Sequence, residues 1–183
     1  MALFRLQLTS LPSGDFAASW FDDGTGLWTD ERLSKPEPLE DVWRVQQLQL
    51  PDPEDRLTPV MFNPNALAVC ARVRDELLPL GGVEFLPIIL LGEPYFVVHV
   101  VATRDVPSGS RYRRVDVADG NLVEFWAFPP GHEESAPLFR LRHLPDSPAG
   151  RGGFCFKHIF ANDVGARAVD RYCRGYLTPL LVP

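Results

Sequence analysis

The sequence predicts an α+β domain in which a mostly antiparallel sheet of six or more strands carries two main helices. Three observations predict this class. Short runs rich in branched and aromatic residues recur, two stretches have helical spacing, and 18 prolines with 14 glycines among 183 residues favour turns over long helices. A chain of this length suits one well-buried core, so we expect residues 1–183 to form a single domain.

Residues 1–59 form an acidic, proline-rich N-terminal portion. Leu3 to Leu8 alternates apolar and polar residues and predicts an opening strand. A tight turn at residues 22–26 predicts a hairpin. The prolines that follow exclude a long helix, and Val42 to Leu50 is expected to form a short strand around Trp43, which we expect to anchor this surface segment.

Val60 to Leu91 is predicted to be a strand, a helix and a second strand. Asn63 is a suitable N-cap, and Pro64 fits the first helical position, where no amide hydrogen is needed. Residues at three- and four-residue spacing then form a stripe that should be buried: Leu67, Cys70, Val73 and Leu77. Proline and glycine end the helix at Pro79, Gly81 and Gly82, and Val83 to Leu91 has the pattern of a strand covered on both faces.

The same order returns at the end of the chain. Phe154 to Phe160 predicts a strand, Asn162 an N-cap, Gly175 a helix stop, and Tyr176 to Val182 a final strand. The predicted helical stripe comprises Val164, Ala168, Tyr172 and Cys173. Two strand-helix-strand units of similar design are therefore expected; an old duplication and the chance recurrence of a common motif both remain open.

The chain between these units has strand patterns. Tyr95 to Thr103 is rich in valine and predicts a central strand. Tyr112 to Val117 and Leu122 to Phe128 flank Asp119-Gly120, a hairpin signal, and Leu138 to Leu144 alternates again. These runs supply the remaining strands of the predicted sheet.

Charge is unevenly distributed. Residues 1–60 contain 11 of the 24 acidic residues but only 5 of the 18 basic residues. Residues 61–183 therefore contain 13 acidic and 13 basic residues. Acidic surface argues against a nucleic-acid partner, because phosphate binding needs clustered lysine and arginine. No apolar run reaches the length of a membrane span and no signal peptide is recognised, so we expect a cytoplasmic protein without a membrane partner.

No pattern of catalytic, cofactor-binding or metal-ligating residues stands out. The loop triplet His132-Glu133-Glu134 lacks a second histidine at zinc-helix spacing. Three widely spaced cysteines, Cys70, Cys155 and Cys173, lie within apolar patterns and are expected to be reduced core residues. The basic loop 150–153 lacks the ending of a phosphate-binding loop and is interpreted as a linker. We therefore predict no catalytic site, no cofactor and no metal.

Residues 60–183 resemble a family of bacterial immunity proteins of polymorphic-toxin systems, typified by myxobacterial members (immunity protein family eleven). The similar segments are Val60-Met61-Phe62-Asn63, Ala71 to Leu78, Gly82 to Pro87, Tyr95 to Val101, Leu138 to Leu141, Phe156 to Phe160 and Arg174 to Leu177. Residues 1–59 show little similarity. The resemblance implies a non-enzymatic protein that binds and neutralises a cognate toxin in bacterial competition.

A basic toxin, for instance a nuclease, would be complemented by acidic residues in the proline-rich segment, and Asp52, Glu54 and Asp55 are the expected partner contacts. Two alternatives are kept. One is an enzyme with a cleft built around one of the four histidines, His99, His132, His143 or His158. The other is a homodimer that pairs exposed aromatic residues such as Trp20, Phe21 and Trp28.

Overall fold

The computed structural model describes residues 2–14, 33, 36–50, 56–63, 66–117, 120–142 and 159–182. Within these ranges there are two helices of more than one turn, α1 (Ala71–Leu77) and α2 (Asp163–Tyr172). The strands are β1 (Leu3–Leu8), β2 (Gln46–Leu48), β3 (Val60–Asn63), β4 (Ala66–Cys70), β5 (Val83–Leu90), β6 (Glu93–Val100), β7 (Thr103–Asp105), β8 (Arg111–Val117), β9 (Gly120–Ala127), β10 (Leu138–Arg142), β11 (Phe160–Asn162) and β12 (Leu177–Val182). Neither described helix is long and apolar enough to cross a lipid bilayer.

Ten of these strands form two five-stranded sheets. Sheet I has the order β12-β1-β11-β10-β7, sheet II has the order β2-β5-β6-β4-β3, and β8 with β9 forms a separate ribbon. Each sheet is antiparallel except at one edge, where β7 runs parallel to β10 and β2 parallel to β5. The α+β class is thus confirmed, but the strands are divided between two mixed sheets instead of forming one.

The two sheets share a plan. In sheet II, β6 lies between β4 and β5 and is antiparallel to both, and α1 connects β4 to β5. In sheet I, β1 lies between β11 and β12 in the same way, and α2 connects those strands. The registers correspond, because Val69 opposes Phe96 one residue before the cap of α1, and Ala161 opposes Phe4 one residue before the cap of α2.

The helix-bearing faces of both sheets share one apolar cluster. Val60 and Val69 of sheet II meet Leu138 and Ala161 of sheet I there, together with side chains of both helices. The opposite face of sheet II packs against residues that precede it in the chain: Leu33, Leu39, Leu48 and Leu50. The opposite face of sheet I packs around Phe139 and Phe160 with residues of the chain before β10. Each sheet is therefore covered on both sides.

The first helix begins later than the sequence pattern predicts. Asn63 and Leu67 lie in β3 and β4, which pair as antiparallel strands, and α1 begins only at Ala71 with Cys70 as its N-cap. The physical reason lies in burial: Ala68 packs in the cluster outside sheet II and Val69 in the shared cluster on the other face. In a strand, the side chains of adjacent residues point to opposite faces of the sheet, so both can be buried in different clusters. A helix that packs through one face does not bury adjacent residues in this way.

The stripe predicted for the second helix is also partly wrong. Val164 is exposed, while Gly165, Ala166 and Val169 form the buried face of α2 with Cys173. The helix lies so close to the chain before β10 that a Cβ on Gly165 would stand 1.9 Å from the Pro137 carbonyl oxygen. Only a face of small residues permits this approach.

Other local predictions are confirmed. Strands occur at the runs predicted for β1, β5, β6, β8, β9, β10 and β12, and β6 is the central strand of sheet II. Gly81 and Gly175 follow the two helices with φ of 68° and 87°, a conformation that glycine adopts without strain. Strand β5 is more open than predicted, because Pro87 is exposed. Cys173 is fully buried, whereas Cys70 is only half-buried.

Candidate functional site

Residues 36–50 form an extended segment on the outer face of sheet II, which we call the strap. Pro36 and Pro38 disfavour a helix at its start, and a turn follows in which the Leu39 carbonyl accepts from the amides of Val42 and Trp43. The strap then joins sheet II through β2, which pairs in parallel with β5. Its buried leucines cover the sheet: Leu39, Leu48 and Leu50.

Glu84 joins the strap to the sheet. Its Oε2 accepts from the Leu39 amide at 2.8 Å and lies 3.0 Å from Nδ1 of His99, which stands directly opposite it on β6. His99 is only 1% exposed. Burial raises the pKa of the Glu84 carboxyl, but the hydrogen bonds from Leu39, His99 and Glu40 outweigh it and hold the pKa below its usual value. The ionised carboxylate therefore stabilises the attachment of the strap.

Trp43 provides a second attachment. Its indole Nε1 donates to the Pro87 carbonyl oxygen at 2.8 Å, and its ring packs against the cluster on the outer face of sheet II. Pro87 has no amide hydrogen to offer to a neighbouring strand, so the indole bonds the polar backbone atom that this residue retains. The prediction that Trp43 anchors this segment is confirmed.

The outer side of the strap combines apolar and acidic groups. Val42 is 57% exposed and Val45 is 56% exposed, although valine is usually buried. Three acidic residues of the strap are exposed: Glu37, Glu40 and Asp41. Its single basic residue, Arg44, donates from Nη1 to the Trp43 carbonyl at 3.1 Å. An apolar centre beside charged residues is the usual composition of a protein-binding surface.

The expected partner contacts Asp52, Glu54 and Asp55 follow the strap in sequence and lie outside the described residues. The same holds for the aromatic residues named for a homodimer, Trp20, Phe21 and Trp28, and for His143, Cys155, His158 and the linker at 150–153. The turn predicted at residues 22–26 and the strand before Phe160 also fall there. Those predictions therefore stay predictions.

Sequence reasoning missed the exposed valines and the pairing of Glu84 with His99. The pattern predicts a strand from Val42 to Leu50 around Trp43, in which apolar residues should share a buried face, but β2 comprises only Gln46–Leu48 and both valines precede it. Glu84 and His99 are 15 residues apart, and only the register of β5 and β6 brings them together. One signal was present, since Glu84 and His99 are the polar residues that interrupt the apolar runs 83–91 and 95–101.

A second polar group of residues lies beside β10. Glu134 is buried and accepts from Nε of Arg104 and from the Ala136 amide. Asn162, the cap of α2, donates from Nδ2 to the Glu134 carbonyl at 3.0 Å. Arg140 on β10 is also buried, and burial lowers the pKa of its guanidinium to about 10. The contacts of Glu134 hold the chain before β10 against the cap of α2.

The two described histidines differ in their surroundings. His99 is enclosed in the core beside Glu84, whereas half-buried His132 stacks on Phe128 with ring centroids 6.1 Å apart. In the part of the chain that the structure describes, no group of three or more histidine, cysteine or acidic residues is placed to hold a metal ion.

No model of a known protein family matches the chain, and no curated protein matches it.

Proposed function

We propose that the chain is an immunity protein that binds a cognate bacterial toxin and neutralises it by protein–protein interaction. The strap is the observation that carries the proposal, because it is a firmly attached segment that presents acidic and apolar side chains to solvent. The concentration of acidic residues in the first third of the chain supports it further. The partner is then a basic protein in the same compartment, the cytoplasm.

A basic toxin is the partner that this surface fits best. Enzymes that act on nucleic acids carry clustered lysine and arginine to bind phosphates, and an acidic surface attracts such proteins and speeds their association. Asp52, Glu54 and Asp55 continue the acidic sequence beyond the strap, so they remain proposed contacts.

Co-expression tests the function. The chain is produced in a bacterium together with the product of a neighbouring toxin gene, survival is scored, and the two proteins are then purified together. We expect survival and a stable complex. Survival without a complex would favour an enzyme that reverses the damage, and death of the cells would refute neutralisation of that toxin.

Charge reversal tests the proposed acidic contacts. Replacing Asp52, Glu54 and Asp55 by lysine should weaken toxin binding at low salt, since opposite charges across an interface mainly raise the association rate. Reversal of three exposed acids elsewhere, Glu76, Glu93 and Glu133, is the matched control. Equal effects of the two triple variants would remove the three residues from the interface and leave only a general effect of net charge.

A further inference from the structure

The strap carries two exposed valines on either side of a tryptophan in sequence, and we define these three residues, Val42, Trp43 and Val45, as the apolar ridge. Trp43 is half-buried and fixed by its bond to Pro87, so its flanking valines have a defined position. Both valines expose more than half of their surface. Tryptophan is enriched among the residues that supply most of the binding energy of protein interfaces, and the two valines add apolar area beside it.

The architecture gives these valines no part in building the sheet. The strap is attached by Leu39, Leu48, the Glu84 carboxylate and Trp43, and of these only Trp43 belongs to the ridge. Within the described part of the chain, the strap as a whole has no counterpart in the arrangement of strands and helix that the two sheets share. Strand β12 corresponds to β5, and among the described residues no segment lies along the outer edge of β12 as the strap does along β5.

Charge complementarity indicates the occupant. Glu37, Glu40 and Asp41 precede the ridge and are all exposed, and the only base of the strap is bonded to its own backbone. A partner that covers the ridge must therefore bring an apolar pocket with positive charge at its border.

We infer that the ridge of Val42, Trp43 and Val45 is the centre of the toxin-docking surface, and that the toxin presents an apolar pocket bordered by lysine and arginine. This inference rests on the proposed function and specifies its contact. The valines provide the lifetime of the complex, and the acids provide its rate of formation.

The first test replaces the two valines, as V42S/V45S, in the full chain. Binding of the purified product of the neighbouring toxin gene is followed by surface kinetics. We expect a dissociation rate at least about 10-fold faster, because two apolar contacts leave the centre of the interface. The control is L180S/L181S, which removes two exposed leucines of β12 and should leave the rate unchanged.

The second test replaces acids beside the ridge, as E37K/D41K. The association rate should fall about 10-fold at low salt and approach the wild-type rate at high salt, because salt screens exposed charges. An unchanged dissociation rate in V42S/V45S, with the wild-type chain binding tightly, would overturn the inference but leave the proposed function intact. No binding by the wild-type chain would refute the proposed function for that toxin.

A second copy of the chain is the alternative occupant. Light scattering of the wild-type chain alone should give a monomer mass. A dimer mass that V42S/V45S converts to a monomer, while L180S/L181S does not, would assign the ridge to a homodimer and overturn its role in toxin binding.

Discussion

Replacing Glu84 by alanine removes the side chain that joins the strap to sheet II. The Leu39 amide loses an acceptor at 2.8 Å, and Nδ1 of His99 loses the carboxylate at 3.0 Å. Leaving a buried polar group without its hydrogen-bond partner lowers the free energy of unfolding by about 1–3 kcal/mol. This range applies to His99, because its ring is almost fully buried. The hydrogen bond from the Leu39 amide adds about 1 kcal/mol, the usual net contribution of one intramolecular hydrogen bond. We expect Glu84→Ala to lower the free energy of unfolding by about 2–4 kcal/mol.

Urea unfolding followed by tryptophan fluorescence measures this change. Glu76→Ala is the control, because Glu76 is an exposed acid on α1 and its loss should change stability by less than about 0.5 kcal/mol. Hydrogen exchange adds a local measurement: the amide of Leu39 should exchange faster in Glu84→Ala than in the wild-type chain. A loss below about 0.5 kcal/mol with unchanged exchange at Leu39 would refute the assigned role of Glu84.

Acid provides a second measurement on the same carboxylate. The pKa of Glu84 in the folded chain lies below its usual value of 4.5. A group with a depressed folded pKa stabilises the protein above its unfolded pKa, and this stability is lost as pH falls through the folded pKa. Wild-type stability should therefore fall more steeply than that of Glu84→Gln as pH is lowered below 4.5. Parallel pH profiles of the two proteins would contradict this assignment.

Three further predictions concern the second helix and the thiols. Gly165→Ala should lower the free energy of unfolding by about 3 kcal/mol, because the new methyl group meets the Pro137 carbonyl. In an exposed helix the same change usually raises stability by about 1 kcal/mol, and a gain of that size in urea unfolding would show that the contact relaxes. Asn162→Ala should cost about 1–2 kcal/mol in urea unfolding, because the amides at the start of α2 lose their acceptor, and an unchanged midpoint would argue against the cap. Native alkylation read by mass spectrometry should modify Cys70 well before Cys173, which is fully buried and whose pKa burial raises to about 12; equal rates would contradict this burial.

The sequence alone determined the features that depend on neighbouring residues. Alternation placed β1 and β10, and the valine-rich run placed β6. Gly175 ended the second helix and Asn162 began it, because a cap and a left-handed turn require particular residue types at one position. The uneven distribution of acidic residues and the role of Trp43 as an anchor also followed from the sequence.

Only the tertiary structure decided which face of each element is buried and which residues meet. Apolar residues from Leu67 to Cys70 fit a helix as well as a strand, and the burial of Ala68 and Val69 on opposite sides of sheet II resolved the choice. Close packing against Pro137 selected the small face of α2. Strand register brought Glu84 to His99. The exposure of the strap valines was also decided only by the tertiary structure. Local periodicity predicts which side chains share a face of an element, but it does not predict what packs against that face.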